Sequence, residues 1–541
     1  MTENNYKSLT PHYTWAETLE EQEAQLRENP LLQRMIASRE AKAGDPHRPF
    51  YHYVNPENNL NDPNGLCFWQ GRWHLFYQGY PPEDPRVHWG HAISDDLIHW
   101  RDLPYAIYPD PEESCFSGST LVDGDRVIAM YHGTQVGNMA AVSSDPLLLN
   151  WEKVTGKAVI PTLPQDGTPQ QYTVFDPCIW KKGDYYYSLS CGMLPDGPGG
   201  KRVAVDFLFR SKDLATWEYL HPFAEDDRYT LVGDDGACPY FWPIGDRWIL
   251  PFFSHMSGGQ YLLGDYDMER DKFVVTSAGL FNFGPSTPSG VHAPSATPDG
   301  DGGVIIIHNM NPGYPSEGWN QIMSLPRRLT LGEREDEINI EPAGDIESLR
   351  GDHTSIGETV LPANQEVVLE SVQGNAMELA VEIDSQESPM VEINVLRSPN
   401  REEFTRIAFF KDRGFRTHRD LPKEGALLAS GLPAVPPFGS PRPVPAMQSL
   451  LTLETSYSST LPGALSRAPE TGPVVLEDGE NLELRVFVDR SIVEVFANDR
   501  LCIAARVYPG RDDSVGVSLR AQSSDAVLKS LDAWQMANIY E

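Results

Sequence analysis

The 541-residue chain has few cysteines, few cationic side chains and no long apolar run. Its six cysteines include no CxxC pair, which argues against a disulfide framework or zinc knuckle and favours reduced, buried thiols. Lys and Arg number 43 against 77 Asp and Glu, a net charge of −34, which disfavours nucleic acids and anionic membranes as partners. No segment approaches the roughly 18 apolar residues of a membrane span, and residues 1–14 lack the apolar core of a signal peptide. We therefore expect a soluble, cytoplasmic protein.

Turn-forming residues are abundant. The 44 glycines and 45 prolines make up about one residue in six, a density that favours many short strands over long helices. Hydrophobic residues account for 40% of the chain, which is enough for a large core. At about 100–200 residues per domain, the length predicts two or three domains.

Helix-forming residues are concentrated near the N-terminus. Residues 15–43 are rich in Glu, Gln, Leu, Ala and Arg and predict one helix, or two helices interrupted at Pro30, with Thr14 as the candidate N-cap. We assign residues 1–48 to an N-terminal helical extension.

A short unit, a glycine turn followed by aromatic or β-branched residues, recurs five times from about residue 50. The turn glycines are Gly71, Gly124, Gly183, Gly245 and Gly302, spaced 53 to 62 residues apart. Repetition at this period, with several short strands per unit, is typical of propeller blades. We predict a five-bladed β-propeller over 49–335; unrelated hairpins of a β-sandwich are the alternative.

Residues 350–541 show a different pattern, in which apolar and polar residues alternate, as in LELRVFVDRSIVEVFAND at 482–499. This alternation predicts strands with one buried face, and hence a C-terminal β-sandwich. The Pro-rich stretch 432–447 predicts an insertion around 399–470. The predicted fold class is therefore all-β, apart from the N-terminal helices.

Acidic residues precede three of the five repeats. They are Asp62 in NDPNG, Asp176 in YTVFDPCIW, and the doublet Asp234 and Asp235 in GDDGACPYFW. A radial fold would point them at one axis, and converging carboxylates suit glycoside hydrolysis, which needs a nucleophile or base and a protonated acid. Crowding would raise one pKa enough to keep that acid protonated. The alternative for Asn-Asp-Pro-Asn-Gly is ordinary turn chemistry, in which Asp62 bonds its own backbone.

From about residue 50 to its C-terminus the chain resembles glycoside hydrolase family 32, which comprises invertases, fructanases and levanases. Five motifs in the family's order carry the resemblance: NDPNG at 61–65, LFYQ at 75–78, HWGHAISDDLIHW at 88–100, FSGS at 116–119 and FVDRSIVEVFAND at 487–499.

The resemblance implies that Asp62 is the nucleophile and that Asp176 stabilises the transition state by bonding sugar hydroxyls. The reaction would be a retaining double displacement through a fructosyl-enzyme ester, needing neither cofactor nor metal, with the nucleophile and acid carboxyl groups about 5–5.5 Å apart. The expected substrate-binding residues are Asn61, Gln78, Phe116, Ser117 and Asp234, together with His292, which like His255 falls near a predicted channel end.

The chain departs from the family at two important positions. The family's Arg-Asp-Pro reads Phe175-Asp176-Pro177, and its Glu-Cys-Pro reads Ala237-Cys238-Pro239, so the sugar-binding arginine and the acid glutamate are both missing. Loss of the arginine removes hydrogen bonds worth about 1.5–3 kcal/mol each and bears on which furanoside is held.

Three explanations for the missing acid remain open. Asp235 lies two residues before Ala237, on the same face if the segment is a strand, and is our preferred acid. Asp234 replaces it if an inserted residue shifts the register. In the third case the acid is lost, and the chain is a weak enzyme or an inactive carbohydrate-binding relative.

We predict a hydrolase of β-fructofuranosides such as sucrose, fructo-oligosaccharides or fructans. A hydrolase or transferase for a different furanoside is the alternative within the enzyme class. The expected partner is a small-molecule or oligosaccharide substrate, and the sandwich could also support a homodimer.

Overall fold

A computed structural model describes residues 8–162, 171–195, 197–334, 336–415, 447–477 and 479–540. Five sheets, antiparallel except for the parallel edge strand Ala224–Glu225 of the fourth, follow one another between residues 60 and 342, and two larger sheets occupy residues 350–536. The predicted all-β class is confirmed. No helix within the described ranges is both long and apolar enough to cross a membrane.

Two short helices, Leu19–Glu28 and Pro30–Ala41, precede the sheets. The interruption at Pro30 is confirmed: Asn29 caps the second helix by accepting a hydrogen bond from Leu32 N at 3.0 Å, and Pro30 occupies the first helical position, where no N–H is needed. The first helix is capped by the hydroxyl of Thr18 and not by Thr14, so it begins one turn later than predicted.

The helices pack on the first two sheets through buried polar contacts. Arg39 donates to both oxygens of Asp102, at 2.8 and 2.7 Å, and Gln22 Nε2 donates to Asp145 Oδ1 at 2.7 Å. Apolar residues of the extension, including Leu26 and Leu32, share a core cluster with the same sheets. The N-terminal extension is therefore part of the folded body.

Each of the five sequence repeats corresponds to one sheet. The strands of the first sheet are Leu60–Trp69, Arg72–Gly79, His88–Ser94 and Arg101–Ile107; of the second, Cys115–Asp123, Arg126–Gly133, Gly137–Ser143, Glu152–Lys153 and Ile160–Pro161; of the third, Pro177–Lys182, Tyr185–Leu194, Val203–Ser211 and Glu218–Pro222; of the fourth, Ala224–Glu225, Trp242–Ile244, Arg247–Ser254, Gly258–Asp267 and Lys272–Leu280; and of the fifth, Val291–Pro298, Val304–Met310, Ile322–Met323, Arg327–Leu331 and Ile338–Pro342. All five repeat glycines lie between the two leading antiparallel strands of their sheets with positive φ, a conformation that glycine adopts without steric cost.

Hydrogen bonds join the leading strands of different sheets. Thr120 Oγ1 donates to Gly65 O at 2.8 Å, between the second and first sheets. Ile179 N donates to Ser119 Oγ at 2.9 Å, between the third and second. Tyr240, just before the strand Trp242–Ile244 of the fourth sheet, forms hydrogen bonds with residues of both the second and the fifth sheets. This arrangement is consistent with blades whose inner strands meet at a propeller axis.

The two C-terminal sheets share one apolar core of mainly Val, Leu and Ile, consistent with a sandwich. One sheet contains Arg350–Ile356, Thr359–Leu361, Ala376–Asp384, Leu482–Asp489, Ile492–Ala497, Leu501–Arg506 and Ala526–Met536; the other contains Glu366–Gln373, Met390–Arg397, Thr405–Phe415, Met447–Glu454, Glu470–Val474 and Gly516–Gln522. Short 3-10 helices lie at Pro198–Gly200 and Ile346–Leu349.

Two predicted boundaries need correction. The strands Thr405–Phe415 and Met447–Glu454 pair with each other inside the second C-terminal sheet, so the insertion predicted around 399–470 is too wide. Most of the Pro-rich stretch 432–447, whose composition prompted that prediction, lies outside the described residues. The fifth sheet also extends past residue 335, because Ile338–Pro342 pairs in continuous register with the preceding strand.

A buried charged network joins the five-sheet unit to the C-terminal sheets. Glu494 accepts from Arg327 Nη2 at 2.8 Å and from Leu325 N at 2.7 Å, and it contacts His52 Nε2 at 3.1 Å. Asp489 contacts the other ring nitrogen of His52 at 2.9 Å. Burial alone would raise the pKa of Glu494, but Arg327 and His52 outweigh it and lower that pKa to about 2.

We expect Glu494→Gln to destabilise the protein by roughly 3–5 kcal/mol, because it leaves the buried Arg327 guanidinium without its counter-charge. Urea unfolding of wild type and variant measures the difference. Glu358→Gln is the matched control, since Glu358 pairs with Lys529 at an exposed position and such pairs contribute at most about 1 kcal/mol. Equal losses in the two variants would contradict the assigned role of Glu494.

Candidate active site

Asp62 lies at the start of the first strand of the first sheet and is buried. Its Oδ2 accepts hydrogen bonds from Gln78 Nε2 at 2.9 Å, Ser117 Oγ at 2.6 Å and, more weakly, Cys238 Sγ at 3.5 Å. Gln78 belongs to the neighbouring strand, Ser117 to the second sheet, and Cys238 lies shortly before the strand Trp242–Ile244 of the fourth sheet. Three segments therefore donate to one carboxylate oxygen.

The other oxygen of Asp62 faces a histidine. His292 Nδ1 lies 3.2 Å from Asp62 Oδ1, within ion-pair distance, and the His292 ring packs 4.2 Å from the Phe253 ring. Burial raises the pKa of Asp62, but His292, Ser117 and Cys238 outweigh it, so the net pKa lies below its usual value. Asp62 is thus held as a carboxylate at neutral pH.

Asp176 contacts the same cysteine as Asp62. Its Oδ2 accepts from Cys238 N at 3.0 Å and from Cys238 Sγ at 3.5 Å. Burial, together with the charge of Asp62, raises the pKa of Asp176 above its usual value, although His132 opposes the shift. Cys238 has a positive φ of 51°, which is uncommon for a residue other than glycine. Two carboxyl groups with opposite pKa shifts therefore share one thiol.

Asp235, which the sequence analysis favours as the acid, is bonded at both oxygens to one residue. Oδ1 accepts from His255 N at 3.1 Å, and Oδ2 contacts His255 Nδ1 at 2.6 Å. The His255 ring centroid lies 5.8 Å from that of His292. Asp235 is therefore linked to the site through His255.

Asp234, predicted to bind substrate, is surrounded by donors from the neighbouring turns. It is buried, and its carboxylate accepts hydrogen bonds from Ser254 Oγ at 2.7 Å, Ser257 Oγ at 2.6 Å and Leu231 N at 2.7 Å. Gln260 Nε2 adds a longer bond at 3.4 Å. Because these donors reach both oxygens, Asp234 holds together the turns around it.

Asn61 belongs to an amide network at the edge of the site. Its Oδ1 accepts from Asn309 Nδ2 at 3.1 Å and from Gln321 Nε2 at 3.0 Å, and its Nδ2 donates to Gln78 Oε1 at 3.3 Å. Sequence reasoning missed Asn309 and Gln321, since neither lies in a recognisable motif. The Phe116 ring is partly exposed, while its carbonyl accepts from the Trp89 indole at 2.9 Å.

The two positions that the sequence comparison marks as departures, Phe175 and Ala237, lie in different surroundings. Phe175 is 44% exposed, and its ring lies 5.7 Å from that of His132. Ala237 belongs to a small buried cluster with Cys238, Phe253 and Ala293. Over the described ranges, no group of three or more His, Cys, Asp or Glu has the arrangement of a metal site.

Three leading strands begin with a local irregularity at the positions that supply these side chains. Pairing shifts register between Leu60 and Pro63, between Cys115 and Gly118, and between Val291 and Pro294. Such bulges re-aim side chains and release them from the regular alternation of a strand. Asn61, Asp62, Phe116, Ser117 and His292 all lie in these short unpaired stretches.

An ionised carboxylate beside a second carboxyl of raised pKa, at the converging ends of several sheets, is the arrangement of a glycoside hydrolase site. The glycosyl hydrolases family 32 N-terminal domain matches residues 52–342, and the family 32 C-terminal domain matches 345–535. The chain therefore belongs to glycosyl hydrolase family 32, and the resemblance seen in the sequence is confirmed.

Similar proteins cover nearly the whole chain. A sucrose-6-phosphate hydrolase from Escherichia coli is 28% identical over 93% of this chain and 98% of its own length. A levanase from Bacillus subtilis is 26% identical over 91% of this chain and 71% of its own. The structure of fructan 1-exohydrolase IIa from Cichorium intybus aligns with a TM-score of 0.76 at 19% identity, covering 91% of this chain and 98% of that one.

We expect Asp234→Ala to lower the free energy of unfolding by roughly 2–4 kcal/mol, because it leaves several buried donors unsatisfied. Denaturant unfolding checks this, with Asp246→Ala, at an exposed turn position, as the control. A variant of unchanged stability that had lost catalysis would instead return Asp234 to the list of candidate acids.

Proposed function

We propose that the protein is a retaining hydrolase of β-fructofuranosides, built as a five-bladed propeller followed by a β-sandwich. The observation that carries this proposal is the set of partners around Asp62: Gln78 and Ser117 donate to one oxygen, and His292 Nδ1 lies 3.2 Å from the other. These partners favour the ionised carboxylate that a nucleophile requires. Its neighbours Gln78 and Ser117 come from the two other motifs that the resemblance assigns to substrate contact.

In the proposed reaction the Asp62 carboxylate attacks the anomeric carbon and forms a fructosyl ester, which water then hydrolyses. Asp176 lies beside Asp62 with a raised pKa, so it donates or accepts hydrogen bonds to the sugar hydroxyls and stabilises the oxocarbenium-like transition state. Gln78 and Ser117 fix the rotamer of Asp62, which keeps its reactive oxygen in place.

Sucrose and short fructo-oligosaccharides are the proposed substrates. The similar proteins are named for sucrose 6-phosphate, levan and fructan, and the exohydrolase has also been solved in complex with 1-kestose. The exposed ring of Phe175, where the family has an arginine, favours apolar contact with the sugar ring over charged hydrogen bonds. Arabinofuranosides are therefore the class of substrate that competes with fructofuranosides in this proposal.

We expect wild-type protein to release fructose from sucrose, kestose, inulin or levan, and Asp62→Asn to lose about 10⁴-fold or more in kcat, as removal of one member of a covalent catalytic unit does elsewhere. Asp301→Asn, at an exposed position, is the control. With methanol as acceptor, NMR should show a methyl fructoside of retained configuration. Inverted product would contradict the retaining mechanism, and no turnover of any furanoside would favour a carbohydrate-binding protein.

A further inference from the structure

The proposed mechanism needs a proton donor for the departing sugar oxygen, and neither acidic residue of the doublet is free to be one. Asp234 is occupied by buried donors, and both oxygens of Asp235 face His255. The family's glutamate position is Ala237, inside an apolar cluster. The missing proton donor must come from another residue near Asp62.

His255 has the geometry of such a donor. Its Nδ1 lies 2.6 Å from Asp235 Oδ2, which fixes the tautomer and orientation of the ring. The side chain is 62% exposed, so Nε2 is accessible to a bound molecule. Imidazole held by a carboxylate at one nitrogen and open at the other is a recurrent acid–base arrangement in enzymes.

His255 also lies on the same side of the site as the nucleophile. Its ring centroid is 5.8 Å from that of His292, and His292 Nδ1 is 3.2 Å from Asp62 Oδ1. Both histidine rings pack against Phe253. A sugar bonded to Asp62 would therefore have His255 within reach of its leaving group.

We propose that His255, positioned by Asp235, is the general acid and base of this enzyme in place of the glutamate that the family resemblance places at Ala237. This inference rests on the proposed glycosidase function and names the group that completes it. His255 is the catalytic residue in this scheme, and Asp235 is a positioning residue.

In the first step the Asp62 carboxylate forms a bond to the anomeric carbon while the glycosidic C–O bond breaks. The electron pair of that bond goes to the leaving oxygen, which takes the proton from Nε2 of the His255 imidazolium. In the second step neutral His255 takes a proton from water as the water oxygen bonds to the anomeric carbon. The ester bond to the anomeric carbon breaks as this new bond forms, and its electron pair returns to Asp62.

The charges around His255 favour the protonated form that the first step needs. The hydrogen bond to Asp235 raises the pKa of His255, partial burial opposes this, and the negative charges of Asp235, Asp62 and Asp176 raise it further. His292 is the other titratable ring that faces it. Activity should therefore fall as pH rises through the raised pKa of His255.

Asp206 is the competing candidate for the acid. It lies opposite Cys191 in the third sheet, and Cys191 N bonds Asp176 O at 3.0 Å, so the three residues form one row across adjacent strands. Burial and the charge of Asp227 raise the pKa of Asp206 to about 7. However, Cys191 stands between Asp206 and Asp176 in this row, so Asp206 lies two strands outward from the carboxyl groups that meet at Cys238.

The first test compares His255→Gln with wild type on two substrates. On sucrose, whose leaving group needs a proton, we expect kcat/KM to fall about 10²–10⁴-fold. The leaving group of 4-nitrophenyl β-D-fructofuranoside departs unprotonated. On this substrate the rate of ester formation should therefore fall less than about 10-fold. Azide should then speed turnover of the variant and give a fructosyl azide, because azide attacks the ester without a general base.

His353→Gln is the matched control, because His353 also pairs with an aspartate, Asp532, at 2.8 Å with similar exposure, but in the C-terminal sheets. It should leave both activities unchanged. Thermal unfolding of each variant shows whether it is folded. Asp206→Asn should likewise keep its activity on sucrose.

The second test concerns Asp235. Asp235→Asn removes the charge that raises the pKa of His255, so the alkaline limb of the kcat/KM profile should move to lower pH, with kcat falling more than KM changes. Asp235→Glu should move the alkaline limb part of the way back to its wild-type pH. A merely structural role of Asp235 would lower stability without moving this limb.

Two results would overturn the assignment of His255 while leaving the proposed function standing. One is a His255→Gln variant whose kcat/KM on sucrose stays within about 10-fold of an active wild type. The other is a sucrose-specific loss of activity in Asp206→Asn instead. A wild type that cleaves no fructoside would overturn both.

Discussion

The buried Glu494 carboxylate holds the two ends of the five-sheet unit together. One of its oxygens contacts His52, just before the first sheet, and accepts from Leu325 N, while the other pairs with Arg327 at the fifth sheet. A charge so deeply buried is tolerated only with complete partners. This requirement fixes the first and fifth sheets relative to one another, and the contact between Asp62 and His292 depends on that alignment because these residues come from those sheets.

The site shifts the pKa values of two neighbouring carboxyl groups in opposite directions by giving them different partners. Asp62 has His292, Ser117 and Gln78 around it and is stabilised as a carboxylate, whereas Asp176 has mainly the backbone N–H of Cys238 and feels the charge of Asp62. Two like charges so close disfavour double ionisation. The same burial therefore yields one ionised nucleophile and one carboxyl suited to hydrogen bonding with sugar hydroxyls.

The apolar cluster around Ala237 lies two residues from the ion pair between Asp235 and His255. A buried glutamate would need partners that Phe253 and Ala293 do not offer. Asp235 instead finds its partner in His255, at the end of the neighbouring strand. If His255 is the proton donor, the ionisable group has moved along the chain while remaining at the mouth of the same site.

Local patterns in the sequence determined the sheets, the helix break and part of the site. The glycine turns fixed the five sheets because positive φ is needed there, Asn29-Pro30 fixed the helix break, and ordered motifs identified the family, Asp62 and its neighbours. Sequence could not separate Asp234 from Asp235, nor pair His255 with Asp235, nor find Asn309 or Gln321. Adjacent residues in a turn can point to different partners, and those partners are set by where distant strands end. Only the tertiary structure decided which donors surround each carboxylate, because burial, charge and hydrogen bonding at the site come from segments hundreds of residues apart.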